Sequence, residues 1–422
     1  VKLRELMLEN NVDIFFGAND VRIAKERVWV ARASLLPQIN LGVLATSMAN
    51  PSFLLSSIEM TLPFIIPNNW FELFKQEALL KVDQAAFRII QLNVYAQALA
   101  LLHQVQADVR LREVLVEQLD YATSVEVYTS VAYRAGRATL DDWNLARAEL
   151  AMARVRLEKV DDLLENEKAS LRTVVDVPIG TSIVPAASRP KASRLEHLKL
   201  DDAAYEVNES SIELKQIEHL LKAAEQERFQ KAFAFISGAS VSQQVSAGDA
   251  AAGRSVKLDF GQATGRGLFT FGFDQFPNYN IANRNIDDIK IRRKEVRREN
   301  ARVVEASLNR LVQANERHTA AVQAEGFQRS VLDNALVRYR LGTITLLDLI
   351  LQQQRFRETS VERLQAESLQ DQLRVTLQRV NLEGQFDEIQ DCRHLDLSKA
   401  MGPWGEKSRM PKVACGLEKK VQ

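Results

Sequence analysis

The sequence predicts a mainly α-helical protein with a small β component, built from two copies of one extended unit. Three observations lead to this. Residues 70–133 and about 281–339 run without an internal proline. Each of these stretches follows short segments in which apolar and polar residues alternate with strand period. Finally, a ten-residue segment recurs: Tyr133-Arg134-Ala135-Gly136-Arg137-Ala138-Thr139-Leu140-Asp141-Asp142 matches Tyr339-Arg340-Leu341-Gly342-Thr343-Ile344-Thr345-Leu346-Leu347-Asp348, with six identities at a constant offset of 206. Self-similarity at a fixed offset is the mark of internal duplication.

The first unit covers 1–200. Residues 1–34 read as a helix that Leu36-Pro37 ends, because a proline disfavours the helical conformation in the residue before it. A β-hairpin over about 38–66 follows. Ile39, Leu41, Val43 and Ala45 alternate with polar positions, Ala49-Asn50-Pro51-Ser52 is the turn, and Ile58, Met60 and Leu62 resume the alternation. In 70–133, Leu111, Leu115, Leu119, Ala122 and Val125 fall on one helical stripe. A helix of that length would extend about 95 Å, too long for a compact domain and suited to a coiled coil or helical tube. After a break at Gly136, a helix over about 140–175 places Leu145, Ala148, Met152 and Val155 on one face. A Pro- and Gly-containing linker fills 176–200.

The second unit, 201–384, repeats the order. A helix at 201–231 leads to a hairpin over about 233–276. Its expected strands are Phe235–Val245 and the alternating Phe269, Phe271, Phe273 stretch, with a Gly-, Ala- and Ser-rich loop at 246–266 between them. The long helix at 281–339, the break at Gly342 and a helix to about 383 complete it, with Leu369, Leu373, Thr376 and Val380 as the last buried stripe. In the tail, 385–422, periodicity is lost. Cys392 and Cys415 lie there, either bridged or as two separate thiols. The chain begins at Val1 with no apolar signal core, which reads as a processed form.

Composition narrows the function. With 55 basic and 55 acidic side chains there is no net field to attract nucleic acid. No run of about eighteen apolar residues occurs, so no helix is expected to span a bilayer, and a membrane role would need strands. The basic run from Lys290 to Arg302 reads as a solvated helix face, with lipid headgroups as a second reading. Gly261 to Gly267 lacks the Lys-Ser/Thr of a phosphate loop. The five histidines are scattered, and no metal-ligand spacing or nucleophile elbow appears, so no catalytic residue, metal or cofactor is expected.

The duplicated segment has a clear local physics. Gly136 and Gly342 suit the left-handed residue that closes a helix. Thr139 and Thr345 are placed to cap the next helix, and Asp142 and Asp348 fall in its first turn, facing free N–H groups and the positive dipole end. Each copy therefore reads as the tip of a helical hairpin.

Together with Ala31-Arg32-Ala33-Ser34-Leu35-Leu36-Pro37-Gln38 before the first hairpin, the two Gly-x-x-Thr-x-x-Asp tips and the duplicated layout make the sequence resemble the TolC family of outer-membrane efflux and secretion proteins over 1–384. The resemblance implies a homotrimer in which coiled-coil hairpins form a long α-helical barrel across the periplasm and the strands form a small transmembrane β-barrel in outer-membrane lipid. It implies a passive duct that meets a periplasmic adaptor protein and an inner-membrane pump or ABC exporter. The tip and adaptor contacts would fall on Gly136, Thr139, Leu140, Asp142, Gly342, Thr345, Leu346 and Asp348. The entrance gate would fall on Tyr339 and on a ring of Asp348 carboxylates, with Arg340 replacing the family's cation, whose place Ile344 takes. Leu351 stands where a second carboxylate is common. Pro67-Asn68-Asn69-Trp70 and Pro277-Asn278-Tyr279-Asn280 replace the family's glycine pairs, and Trp70 and Tyr279 are candidates for an interfacial aromatic girdle. The alternative is a periplasmic coiled-coil scaffold or adaptor-like protein without a pore.

Overall fold

The computed structural model describes residues 11–36, 63–177, 189–234 and 273–389, four strands, and the single positions Leu3, Arg4, Met7, Gly180 and Ile183. Cys392 and Cys415, the Ala49-Asn50-Pro51-Ser52 turn, the 261–267 loop, and Phe269 and Phe271 lie outside the described residues.

The α-helices are α1 Val12–Ala33, α2 Pro67–Arg134, α3 Leu140–Val175, α4 Leu200–Ser210, α5 Ile212–Ala232, α6 Gln275–Arg340 and α7 Leu346–Asn381. The strands are β1 Gln38–Ile39, β2 Ile58–Thr61, β3 Ser240–Gln244 and β4 Ser255–Asp259. They form one antiparallel sheet in the order β1-β2-β3-β4. Met60 pairs with Val241 across β2 and β3, so the strands of the two units join in a single sheet.

The helix ends repeat at the sequence offset. α2 and α6 end at 134 and 340, α3 and α7 begin at 140 and 346 and end at 175 and 381, and each difference is 206. Even the left-handed residues after α3 and α7, Asp176 and Leu382, share it.

Sequence and structure differ at several places. β4 lies inside the stretch expected to be a loop, because Ser255-Val256-Lys257-Leu258-Asp259 is a short alternation hidden in a Gly- and Ser-rich surround. Phe273 sits in a turn, 95% exposed, and not in a strand. The single helix expected at 201–231 is broken at Ser211, whose hydroxyl accepts from the Leu214 N–H and so starts a new helix. Both segments that replace the glycine pairs open long helices, with Pro67 at a position where its missing N–H costs nothing. On α3 the buried positions are Ala146, Ala153, Val160, Leu164 and Leu171, whereas the face of Leu145, Met152 and Val155 is exposed.

Neither long helix could be stable alone, and each changes partners along its length. α2 packs on α1 and α5 near the sheet and on α3 and α7 toward the tips, while α6 packs on α5, α4 and α7. By length and composition alone, one stretch of eighteen residues in α2 with at most two charges is apolar enough to cross a bilayer, although it is not an unbroken apolar run. α2 supplies Phe87, Leu92, Val94, Tyr95 and Ala98 to the largest core cluster, where they meet Ile14 and Val21 of α1, Leu171 and Val175 of α3, Ile212, Val375 and the returning Phe386.

Beyond this cluster toward the tips, the nearly fully buried Glu367 of α7 is paired with Arg110 of α2, Arg189 of the linker and Arg363 one turn back. A buried carboxylate is tolerable only when matched in this way.

Gly17 of α1 sits close against α2: a Cβ there would stand 2.9 Å from the Phe87 ring. Gly326, inside α6, has open space around it. Gly17→Ala should therefore lower stability by about 1–3 kcal/mol, whereas Gly326→Ala should raise it by about 0.5–1 kcal/mol. Thermal unfolding of the two variants beside the parent checks both signs.

Candidate functional site: the paired hairpin tips

The two tips are built alike from local chemistry. Gly136 and Gly342 adopt φ values of 69° and 72°. This conformation lets the Arg137 N–H reach the Ala132 carbonyl at 2.8 Å and the Thr343 N–H reach the Arg338 carbonyl at 2.9 Å. Both ends are Schellman closures, which satisfy carbonyls the helix leaves free. Three residues on, Thr139 and Thr345 begin α3 and α7 with complete capping boxes. The Asp142 N–H donates to Thr139 Oγ1 at 3.1 Å and the Thr139 N–H to Asp142 Oδ2 at 3.0 Å. The matching distances at Thr345 and Asp348 are both 3.2 Å. The Thr345 hydroxyl and N–H, followed by Arg338, hold the exposed Asp348 carboxyl below the usual carboxylate value, so it is charged at neutral pH.

The tips diverge in what their tyrosines touch. Tyr133 stays within its own hairpin: its ring stacks on Trp143 at 5.3 Å, Arg147 lies over the indole, and Trp143 Nε1 donates to Glu126. Tyr339 instead crosses to the other hairpin. Its ring meets Tyr128 of α2 edge-on at 5.6 Å and its hydroxyl lies 2.8 Å from Thr129 Oγ1. Because Thr129 already donates to the Val125 carbonyl, Tyr339 is the donor. Burial pushes the Tyr339 phenol above its ordinary value, which keeps that proton in place. Tyr128 in turn donates to the Arg340 carbonyl at 2.9 Å. Arg340 therefore serves this contact through its backbone, and the partner of Tyr339 is Thr129.

Neither Tyr128 nor Thr129 was singled out by sequence. The available signal was weak: a half-buried tyrosine needs a partner for its hydroxyl, but nothing in the sequence says which helix supplies it. The two tyrosines also line an open groove of about 500 Å³ between α2 and α6, whose walls include Val127, Val131 and Leu336.

The leucines also differ. Leu140 is 50% exposed, but Leu346 is buried with Val125, Ala146, Leu349 and Phe356, and Ile344 packs against the same cluster. Leu346 is thus a core residue joining the hairpins, leaving Leu140, Asp142, Leu347 and Asp348 at the surface. Among the described residues, no group of three or more His, Cys, Asp or Glu gathers as a metal site.

No protein-family model and no curated protein matches the chain. Solved structures do. A membrane protein from Pseudomonas aeruginosa superposes with a TM-score of 0.73 at 16% identity, covering 90% of this chain and 89% of that one. The outer membrane protein VceC of Vibrio cholerae gives 0.70 at 14%, covering 91% and 96%. The open state of the Neisseria gonorrhoeae MtrE outer membrane channel gives 0.65 at 15%, covering 90% and 88%. The chain has the TolC-like outer-membrane channel fold. In that fold the segment Tyr339 to Asp348 is the end of the second helical hairpin, and the sheet lies at the opposite end of α2 and α6.

The caps give a direct test. Thr139→Ala and Thr345→Ala should each cost about 1 kcal/mol through the lost cap. The Thr345 change should also bring the Asp348 carboxyl back toward its ordinary value. Thermal unfolding and an NMR titration of Asp348 measure the two effects.

Proposed function

We propose that this chain is one protomer of a homotrimeric duct that carries substrates through the outer membrane and the periplasm. It would work with a periplasmic adaptor and an inner-membrane pump or ABC exporter, and it would be gated at the hairpin tips. The protein performs no chemistry on what it carries.

The observation that carries this reading is a pair of open edges. The strands run β1-β2-β3-β4 and the helices beside them pack as α1-α2-α5-α6, so α1 and α6 lie at the two ends of the layer. Along α1 the exposed positions Val12, Phe16, Asn19, Ile23, Glu26, Val30 and Ala33 follow each other at alternating spacings of four and three. That is a coiled-coil seam with no helix upon it among the described residues. On α6 the exposed positions Ile281, Arg284, Asp288, Ile291, Glu295 and Arg298 form a second such seam. α1 runs toward the sheet and α6 away from it, so the two seams are antiparallel at the same level. Edge-to-edge closure by sister chains covers both and removes the free strand edges, which a sheet in lipid cannot keep.

Exposed Phe64, Trp70, Phe74, Phe276 and Tyr279 gather at the helix ends next to the sheet, where an aromatic girdle at a lipid interface belongs. The basic run lies further along α6; Arg293 pairs with Glu218 and Arg302 with Glu299, as in a solvated helix face.

Phe16→Glu combined with Ile23→Glu changes side chains that are exposed in the protomer, at 67% and 43%. The pair should convert a trimer to a monomer in detergent, measured by light scattering, with helix content unchanged by circular dichroism. A double variant that stays trimeric would overturn the proposed closure.

The gate has its own test. Tyr128→Phe with Tyr339→Phe removes the two tyrosine hydrogen bonds that join the hairpins near their tips, worth about 1 kcal/mol each. Open probability in planar bilayers should rise about tenfold or more. Unchanged gating would remove these tyrosines from the gate, and trimers without any conductance would leave the coiled-coil scaffold as the surviving reading.

A further inference from the structure

Away from the tips, α2 and α3 bury two acidic side chains against each other. Asp108 of α2 is 9% exposed, and Glu167 of α3 is half-buried beside it, within hydrogen-bonding reach. Asp108 Oδ2 and Glu167 Oε2 are each sealed from solvent, and neither receives a hydrogen bond from any donor among the described residues. Two neighbouring carboxyls, each with an orphaned acceptor, make an unstable arrangement if both groups are ionised, because each keeps the desolvation cost and repels the other. One proton between them satisfies both oxygens.

The cations close to the pair in sequence are committed elsewhere. Arg112 is bound to Asp161, Lys168 and Arg172 to Glu165, and Arg110 to Glu367 of α7. His103 lies 3.0 Å from Gln106 and faces Asp371 of α7. The remaining contact is an amide. Gln104 lies beside Glu167, and its own Oε1 accepts from Gln372 of α7 at 3.2 Å. A polar line thus runs from α7 through α2 to α3 and ends at the two carboxyls.

We propose that Asp108 and Glu167 share a single proton that fastens α3 to α2, and that its loss above neutral pH loosens this hairpin and its link to α7. Burial, and then the neighbouring Asp108, push the Glu167 carboxyl up to about 7 from an ordinary 4.5. The folded value is the higher one. The stability it contributes is therefore complete below about pH 4.5 and is lost as pH rises through about 7.

The test uses the full-length protein, with Asp108→Asn and Glu167→Gln as separate variants that retain hydrogen-bonding capacity without the second charge. Amide exchange, corrected for intrinsic pH dependence, is followed in peptides covering 100–112 and 160–175 at about pH 5.5 and about pH 8.5. The parent should lose protection about tenfold at the higher pH, and either variant should lose little. An infrared carboxylic C=O band should titrate near neutrality in the parent and be missing from both variants. Equal pH responses in parent and variants, or no titrating carboxylic band, would overturn the proposal. So would protection restored by magnesium or calcium at high pH in the parent alone, since the pair would then be a cation site.

Discussion

Two helices far longer than any single core impose the constraint from which the remaining architecture follows. α2 has 68 residues and α6 has 66, so each extends about 100 Å. No one partner can cover such a helix, and a bare apolar stripe of that length would not stay in water. The shorter helices meet this need in relay: α1 and α5 cover the sheet-proximal parts, and α3 and α7 fold back from the tips to cover the rest. Where the relays meet, the chain gathers its largest apolar cluster, and the buried Glu367 with its arginines lies just beyond it toward the tips. The tips mark where each relay turns, and the seams left open on α1 and α6 mark what one chain alone cannot cover.

The parts legible in the sequence are those set by local rules. Helix ends at 134, 140, 340 and 346 follow from a left-handed glycine, a capping threonine and an aspartate in the next turn, all within ten residues. The long proline-free runs and the repeated segment likewise needed nothing beyond the chain itself. The parts that were not legible depend on what lies across a gap in space. Period alone gave the stripe of Leu145, Met152 and Val155 but not its outward direction, since α3 carries apolar residues on two sides and the buried side is the one with Ala146, Ala153 and Val160. β4 was missed because five alternating residues in a glycine-rich stretch carry too little period to stand out. At the site, the caps were read residue by residue, whereas Thr129 and Tyr128 were invisible: their part depends on the arrival of Tyr339 from another hairpin.

The duplicated tips show how one motif takes two uses. Both copies keep the same closure and the same cap, because those are what make a hairpin turn. Around that frame the contacts have separated. In the first copy the aromatic pair is internal and Leu140 faces outward; in the second, Tyr339 and Leu346 are turned into the joint between hairpins. In the gate proposed above, only one of the two needs to be movable, and the second copy has the contacts that would have to break.

The common offset of 206 has a consequence for how such a chain can change length. α3 and α7 have 36 residues each, and both tips therefore stand at matching heights. Inserting one helical turn into α2 alone would carry its tip about 5.4 Å past its neighbour. It would also shift every later side chain out of step with α3 and α7. A longer or shorter version of this molecule is reached only by coordinated insertions in four helices at once, which makes its reach one of its least adjustable dimensions.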